Sequence, residues 1–459
     1  MTNIQFIGRE DELSKLKKLK DDNFFLIVKG RRRIGKTLLL RMAFPDAAYI
    51  FIWPDKSIGW ILDKISSELQ LPRFKDFGSL LEYLLEQNKT VILDEFQNFI
   101  NIDKSIYGEI QALIDKRKRL KKGFKLAVAG SSYSLMNKVF YDSASALYGR
   151  KTYEVDLGNI DICSLFNELN IKFSEFVEIW SVFEGVPYYY ELIDSNKTAK
   201  ENIYSLILSR DSQLRDEGKA ILSVEFGKDS RTYNTVLTAI SEGKTKLNEI
   251  ASLFGGKKNE TIKYLDILRR EFNLVRKVTP LTENPRKSRM GRYEILDNFL
   301  SFWFYFYDKN RTYIEQERFT ELKKYFFDEF NGFIGRKFEK FVKQLIVDKI
   351  LLSDLNIVKI GSQWGKSIGE AYEIDILAEN YKNDLIFGEC KWQENVNALE
   401  IAGKLEDKSK NVEWRNNEGK ESFVIFAKSF SKKISEIKGK KVYCFDLKDI
   451  QRKVEKRSK

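Results

Sequence analysis

The run GRRRIGKT, Gly30–Thr37, stands between the apolar stretch FFLIV and the helical stretch LLLRMAF, and it limits the possible folds more than any other feature of the chain. A glycine-containing loop that leaves a strand and enters a helix is the setting of a phosphate-binding loop. Gly30 and Gly35 allow tight, partly left-handed backbone, successive N–H groups turn inward, and the helix N-terminus adds positive potential. Lys36 is then placed to reach the β- and γ-phosphates of ATP and Thr37 to ligate Mg2+, with Arg31, Arg32, Arg33, Ile34 and Leu38 completing the loop. Such a loop needs an α/β scaffold. From Asn23 to Asp156 the stretches FFLIV, AAYIFIW, TVILDE, KLAVAG and KTYEVDL alternate with helical segments, which predicts a mainly parallel sheet. VILDE ends in the acids Asp94, expected to hold magnesium through water, and Glu95, expected to polarise an attacking water. KLAVAG runs into Ser131 and Ser132, which read either as a γ-phosphate sensor or as ordinary helix caps.

At 459 residues the chain is long for one core, and it reads as an α/β multidomain protein divided near 1–160, 161–228, 229–310 and 311–459. Its longest apolar runs, such as Phe299–Tyr307, fall short of the ~20 residues of a membrane span. The start MTNIQFIGREDEL lacks the pattern of a secretory signal, so a cytoplasmic protein is expected. There is no histidine. That excludes Ser-His-Asp and Cys-His catalysis and His-ligated zinc, leaving carboxylates, lysines and hydroxyls for chemistry. Cys163, Cys390 and Cys444 form no CxxC pair, so no disulfide framework, zinc ribbon or haem is expected. A net charge of +12 fits a polyanionic partner such as DNA, or a solvated lysine-rich surface.

From about Asp229 to Asp297 the pattern is three helices and then two strands around TPLTENPRKSRMGR, a winged-helix pattern. Its second helix-turn-helix segment, NETIKYLDILRREF, starts after the basic turn GGKK, which would turn Lys257, Lys258, Asn259 and Lys263 toward DNA. The wing adds Arg286, Lys287, Arg289 and Arg292, suited to phosphate contact. Further on, YEIDILAENYKNDLIFGECKW reads as two alternating strands. Period-two alternation puts Glu389 and Lys391 on one face with Cys390 on the other, and Glu373 together with Asp375. Asp375 and Glu389 could share a divalent metal beside Lys391, with Glu339 of FIGRKFEKFVKQLI spaced to support it.

FIGREDEL at Phe6–Leu13, GRRRIGKT, ILDEFQ and EGVPYYYEL at Glu184–Leu192 together resemble the AAA+-like STAND ATPases, in particular the archaeal ATPase family. The resemblance implies that Ile7, Gly8 and Arg9 lie along adenine and that Gly185–Pro187 belongs to a helical lid, with Pro187 on the base. Arg150 of LYGR matches the position of an arginine finger acting on a neighbouring subunit in a homo-oligomer, and reads equally as a surface residue. The order Glu339, Asp375, Glu389, Lys391, with QWGKS and FGECKW around it, resembles the PD-(D/E)xK nuclease fold and the nuclease-like domain fused to archaeal ATPases. This implies a restriction-endonuclease-like α/β domain. Two functions follow: an ATP-controlled, DNA-processing enzyme with a magnesium-dependent nuclease, or a nucleotide-dependent switch or scaffold whose nuclease-like domain binds without cleaving.

Overall fold

The computed structural model describes residues 6–87, 89–226, 230–367, 370–414 and 419–457; the expected boundary at 228/229 lies outside the described residues. Five short strands build the first sheet: β1 (Phe24–Lys29), β2 (Ala48–Phe51), β3 (Val91–Asp94), β4 (Lys125–Gly130) and β5 (Tyr153–Asp156). They are parallel in the order β2-β3-β4-β1-β5, matching the five expected stretches. β1, between β4 and β5, is apolar from Phe24 to Val28 because both of its faces are covered. Phe24, Leu26 and Val28 enter one core, and Phe25 and Ile27 the other. Two helices follow strands at their carboxyl ends, α1 (Lys36–Ala43) after β1 and α2 (Tyr133–Phe140) after β4.

The helices α3 (Phe173–Phe183), α4 (Pro187–Glu191) and α5 (Glu217–Phe226) form the lid region. Three more, α6 (Ser230–Ser241), α7 (Leu247–Ala251) and α8 (Lys258–Arg270), precede the antiparallel pair β6 (Val275–Val278) and β7 (Arg292–Ile295), as expected for a winged helix. A 29-residue helix, α9 (Phe319–Val347), then leads into the second sheet. Its strands are β8 (Ile357–Ser367), β9 (Glu370–Asn380), β10 (Leu385–Lys391), β12 (Glu421–Ala427), β14 (Glu436–Ile437) and β15 (Lys440–Phe445), in the order β14-β15-β12-β10-β9-β8. The short strands β11 (Val396–Asn397) and β13 (Phe430–Lys432) pair beside it. Helix α9 covers one face through Phe338 and Phe341, and α10 (Ala398–Ser409) covers the other through Ala398, Ala402 and Leu405.

One apolar core continues from the first sheet through the lid and winged helix to α9 and the second sheet. Phe173, Phe176 and Trp180 of α3 meet Phe341 of α9 with ring centroids 6.2, 6.3 and 5.0 Å apart. No described helix is long and apolar enough to cross a membrane.

Candidate nucleotide site and carboxylate cluster

The loop after β1 turns sharply because Gly35 sits at φ 98° ahead of α1, a conformation that side chains with a Cβ rarely adopt. Arg33 also has positive φ, at 66°. Lys36 is buried and folds back over the loop, donating to the carbonyls of Gly30 at 2.9 Å and Arg31 at 3.0 Å. Burial pushes its ammonium down from the ordinary lysine range, while Glu95 and Asp94 push it up. Thr37 Oγ1 donates to Asp94 Oδ2 at 2.5 Å, and Tyr49 from β2 donates to the same oxygen at 2.9 Å. Hard oxygen donors at the end of β3 and the start of α1 suit magnesium. Ile34 is buried and Leu38 partly so.

Glu95 occupies the left-handed region at φ 55°. Its Oε2 accepts from Gln97 Nε2 and, at 2.7 Å, from Ser131 Oγ. Of the two serines after β4, Ser131 faces the acid, while Ser132 caps α2 by accepting from Leu135 N. Glu225 of α5 adds a contact that sequence did not suggest, receiving Ser132 and Ser134 hydroxyls at 3.0 and 2.7 Å and Tyr133 N at 2.9 Å. The lid thus holds the helix that follows β4.

The loop arginines are divided between roles. Arg32 is exposed, whereas the side chains of Arg31 and Arg33 leave the phosphate site for neighbouring elements. Arg31 pairs with Asp297, before the aromatic stretch, and with Glu184 at 3.5 Å. Arg33 pairs with Glu217 of α5 at 2.9 Å and lies 3.9 Å over the Tyr188 ring. Glu184 also receives Lys340 of α9, and these two cations hold its carboxyl below the usual range despite burial. A cavity of about 590 Å³ opens beside this network, lined by Arg31, Arg32, Ser131, Ile160, Glu184 and Asp297 among others, a volume in the range of small-ligand pockets.

The segments expected around a base converge nearby. Arg9 donates to the carbonyl of Gly158, and Ile160 N donates to Gly185 O at 2.8 Å. A Cβ on Gly185 would come 2.2 Å from Ile160 O, so glycine is required for that approach. Gly8 packs beside Ile160 as well, with Ile7 against the same core. Pro187 is buried as the first residue of α4. Arg150 lies apart from these groups, donating to Asp115 at 3.0 Å and to Ala146 O at 3.1 Å.

The carboxy-terminal acids come from three elements. Asp375 of β9 accepts from Cys390 N at 2.8 Å. Burial, then Glu389, then Glu339 push its carboxyl up to about 7. Glu389, as alternation predicts, lies with Lys391, which donates to its Oε1 at 2.7 Å; Lys408 of α10 donates to its Oε2 at 2.9 Å. Glu339 receives Lys343 and, at 3.1 Å, Ser362 Oγ. Cys390 packs into the core beneath α9. Strict alternation fails in β9. Its pairing with β8 shifts between Ile374↔Gln363 and Leu377↔Gly361, inserting one extra residue at Asp375–Ile376. Glu373 is consequently no partner of Asp375 in the structure; it faces the wing. Among the described residues no group of three or more acids and cysteines is placed to hold a metal.

Lys257, Lys258, Asn259 and Lys263 are exposed at the start of α8, and Arg286, Lys287 and Arg289 are exposed on the wing. Arg292 departs from expectation. Its guanidinium donates to Glu373 Oε1 at 2.6 Å and lies 4.3 Å over the Trp364 ring, so its charge is already engaged within the molecule.

The parallel sheet, the loop at its edge and the acids of β3 define an AAA+-like P-loop architecture. Residues 22–162 match the family model described as an AAA domain, and residues 303–403 match one described as archaeal and bacterial proteins of unknown function. An uncharacterized protein of Methanocaldococcus jannaschii is 31% identical over 464 residues, covering 97% of this chain and 100% of that protein. The chain belongs to the family of this archaeal protein and is an AAA+-like ATPase by family. Among solved structures, a Walker-type ATPase of Pyrococcus abyssi is 19% identical, covering 65% of this chain and 96% of that one with a TM-score of 0.45. A signal-transduction ATPase with a tetratricopeptide repeat sensor from Pyrococcus horikoshii is 14% identical, covering 76% and 51% with a TM-score of 0.29.

Proposed function

We propose that the chain is an ATP-controlled DNA-processing enzyme, with ATP and Mg2+ at the P-loop and magnesium-dependent phosphodiester cleavage at the carboxy-terminal acids. The amino-terminal half of this reading is supported by the contacts among Lys36, Thr37, Asp94, Glu95 and Ser131. Lys36 would release the loop carbonyls to meet the β- and γ-phosphates, Thr37 and Asp94 would hold magnesium, and Glu95 would take the proton of the attacking water.

The observation that carries the nuclease reading is Asp375 of β9, pushed up to about 7 by burial and then by Glu389 of β10 and Glu339 of α9, with Lys391 paired to Glu389 beside it. Crowded carboxylates whose repulsion opposes ionisation suit a divalent cation, and their oxygens are the donors magnesium prefers. Asp375 and Glu389 would hold it, and magnesium bound there supplies charge neutralisation at the phosphate. Lys391 would steady the charge that develops on the phosphate, and Glu339 would orient the cluster.

A specific observation favours the second reading, a nucleotide-dependent scaffold. Both oxygens of Glu389 are taken, by Lys391 and by Lys408. The readings separate in one assay: single- and double-stranded DNA incubated with magnesium or manganese, with and without ATP. Cleavage by wild type that disappears in Asp375→Ala supports the enzyme; cleavage no greater than that of Asp375→Ala in every condition assigns the chain to the scaffold class.

A further inference from the structure

Wing residues 279–291 lie along β8, the edge strand of the second sheet. Leu281 N donates to Ser362 O at 3.0 Å, and Lys359 Nζ donates to Leu281 O at 2.9 Å. Thr282 donates through N and Oγ1 to Gln363 Oε1, each at 3.3 Å, and Trp364 Nε1 donates to Met290 O at 3.1 Å. Leu281 packs against the core beneath α10. A strand edge left bare would present unpaired backbone groups, and here the wing occupies part of it. Arg292 closes the wing's root through its ion pair with Glu373 and its stacking on Trp364, a guanidinium–indole contact that resists displacement by water.

This docking brings the wing to the acids. Ser362, whose carbonyl receives the wing, turns its hydroxyl to Glu339, and Lys343 donates to the same hydroxyl at 2.6 Å. A single residue therefore touches both the wing backbone and the carboxylate cluster. On the same loop Arg286, Lys287 and Arg289 are exposed and enter no ion pair among the described residues. Three cations without an ion pair among the described residues, on a loop whose backbone meets Ser362 beside Glu339, match a polymer that offers phosphates in series, because each cation can replace a condensed counterion.

We propose that the wing and the carboxylate pocket are two walls of one groove for duplex DNA, with Arg286, Lys287 and Arg289 seating the backbone and the clasp Arg292–Glu373–Trp364 fixing the wing so that an adjoining phosphodiester meets the pocket. The groove rests on the DNA-processing reading and adds to it the binding surface and the function of Arg292, which fastens the wing and leaves phosphate contact to its three exposed neighbours. Fixed geometry of this kind matters because small displacements of a reacting group from its site lower rates steeply.

The test uses the full chain and an end-labelled duplex oligonucleotide. A photo-crosslinking side chain placed at exposed Met290 on the wing, and in a second protein at exposed Gln393 beyond β10, should each capture the duplex, at sites a fixed few nucleotides apart. Glu373→Arg sets like charges in the clasp without subtracting a cation. It should lower magnesium-dependent cleavage at least tenfold and scatter the crosslink spacing, while affinity changes less than threefold; Glu373→Gln, the milder change, should fall between. Capture from both positions without cleavage by any variant would leave the groove standing and remove the nuclease. Cleavage that persists unchanged in Glu373→Arg, with capture from Met290 alone, would leave the nuclease standing and overturn the groove. A duplex captured from neither position overturns the groove outright.

Discussion

The two acid-bearing sites of this chain are assembled in opposite ways. At the phosphate loop the groups lie in or just after strands of a single parallel sheet or open the helix that follows, with Thr37 meeting Asp94 at 2.5 Å and Ser131 meeting Glu95 at 2.7 Å. At the carboxy-terminal cluster the acids arrive from a long helix and two antiparallel strands, Lys408 comes from a second helix, and the wing reaches Ser362 from another part of the chain. The first site is local and repeats a strand-end geometry; the second exists only once distant elements have packed. Substitutions in the first should therefore change function and leave the fold intact, whereas substitutions in the second should register in both.

The largest expected effect tests the local side of that contrast. Glu95→Gln should bind ATP normally yet hydrolyse it about a thousandfold more slowly, because an amide accepts no proton from the water; steady-state phosphate release beside a binding titration checks it. Lys36→Ala should weaken ATP binding about a hundredfold, the scale of removing one member of a buried charge contact. Its unfolding temperature should stay close to wild type, and a large fall would remove the contrast.

Asp375 sharpens the other side. Its carboxyl is raised from the ordinary value of 3.8 to about 7, so the fold favours the protonated form. The folded state then binds more protons than the unfolded one between those values, and stability drops as pH rises through that window. Asp375→Asn should remove this dependence, stabilising the protein by roughly 4 kcal/mol at pH 8 and by much less near pH 4. Chemical denaturation at the two pH values measures it, and an equal effect at both would show that Asp375 ionises freely.

The smallest effect concerns Arg150. Losing its partly exposed pair with Asp115 should cost less than about 1 kcal/mol, and Arg150→Ala should slow hydrolysis only at concentrations where the chain self-associates. Specific activity that is flat with protein concentration in both proteins would leave Arg150 as a surface residue.

This contrast also governs what the sequence made legible. The strand–loop–helix context of Gly30–Thr37 marked the nucleotide site, since strand-end sites follow from local pattern, and the alternation of Glu389 with Lys391 survived in β10. Alternation could not reveal the extra residue in β9 at Asp375–Ile376, which parts Asp375 from Glu373. Nor could charge alone show that Arg292 meets a carboxylate 81 residues later, or that Arg31 and Arg33 turn to Asp297, Glu184 and Glu217. Tyr49, Glu225 and Lys408 carried no motif at all; they matter because folding brings them to groups that did.

The continuous core joining the lid to α9 bears on how this protein melts. With Phe173, Phe176 and Trp180 resting on Phe341, a chain cut before α9 would bare an aromatic face and lose the packing beneath its own lid. The nucleotide end and the acidic end then share one cooperative unfolding event, and any ligand that binds the native state raises the midpoint of that event whichever end it occupies. Heat, applied to the intact chain, should find one transition where the sequence reads four segments.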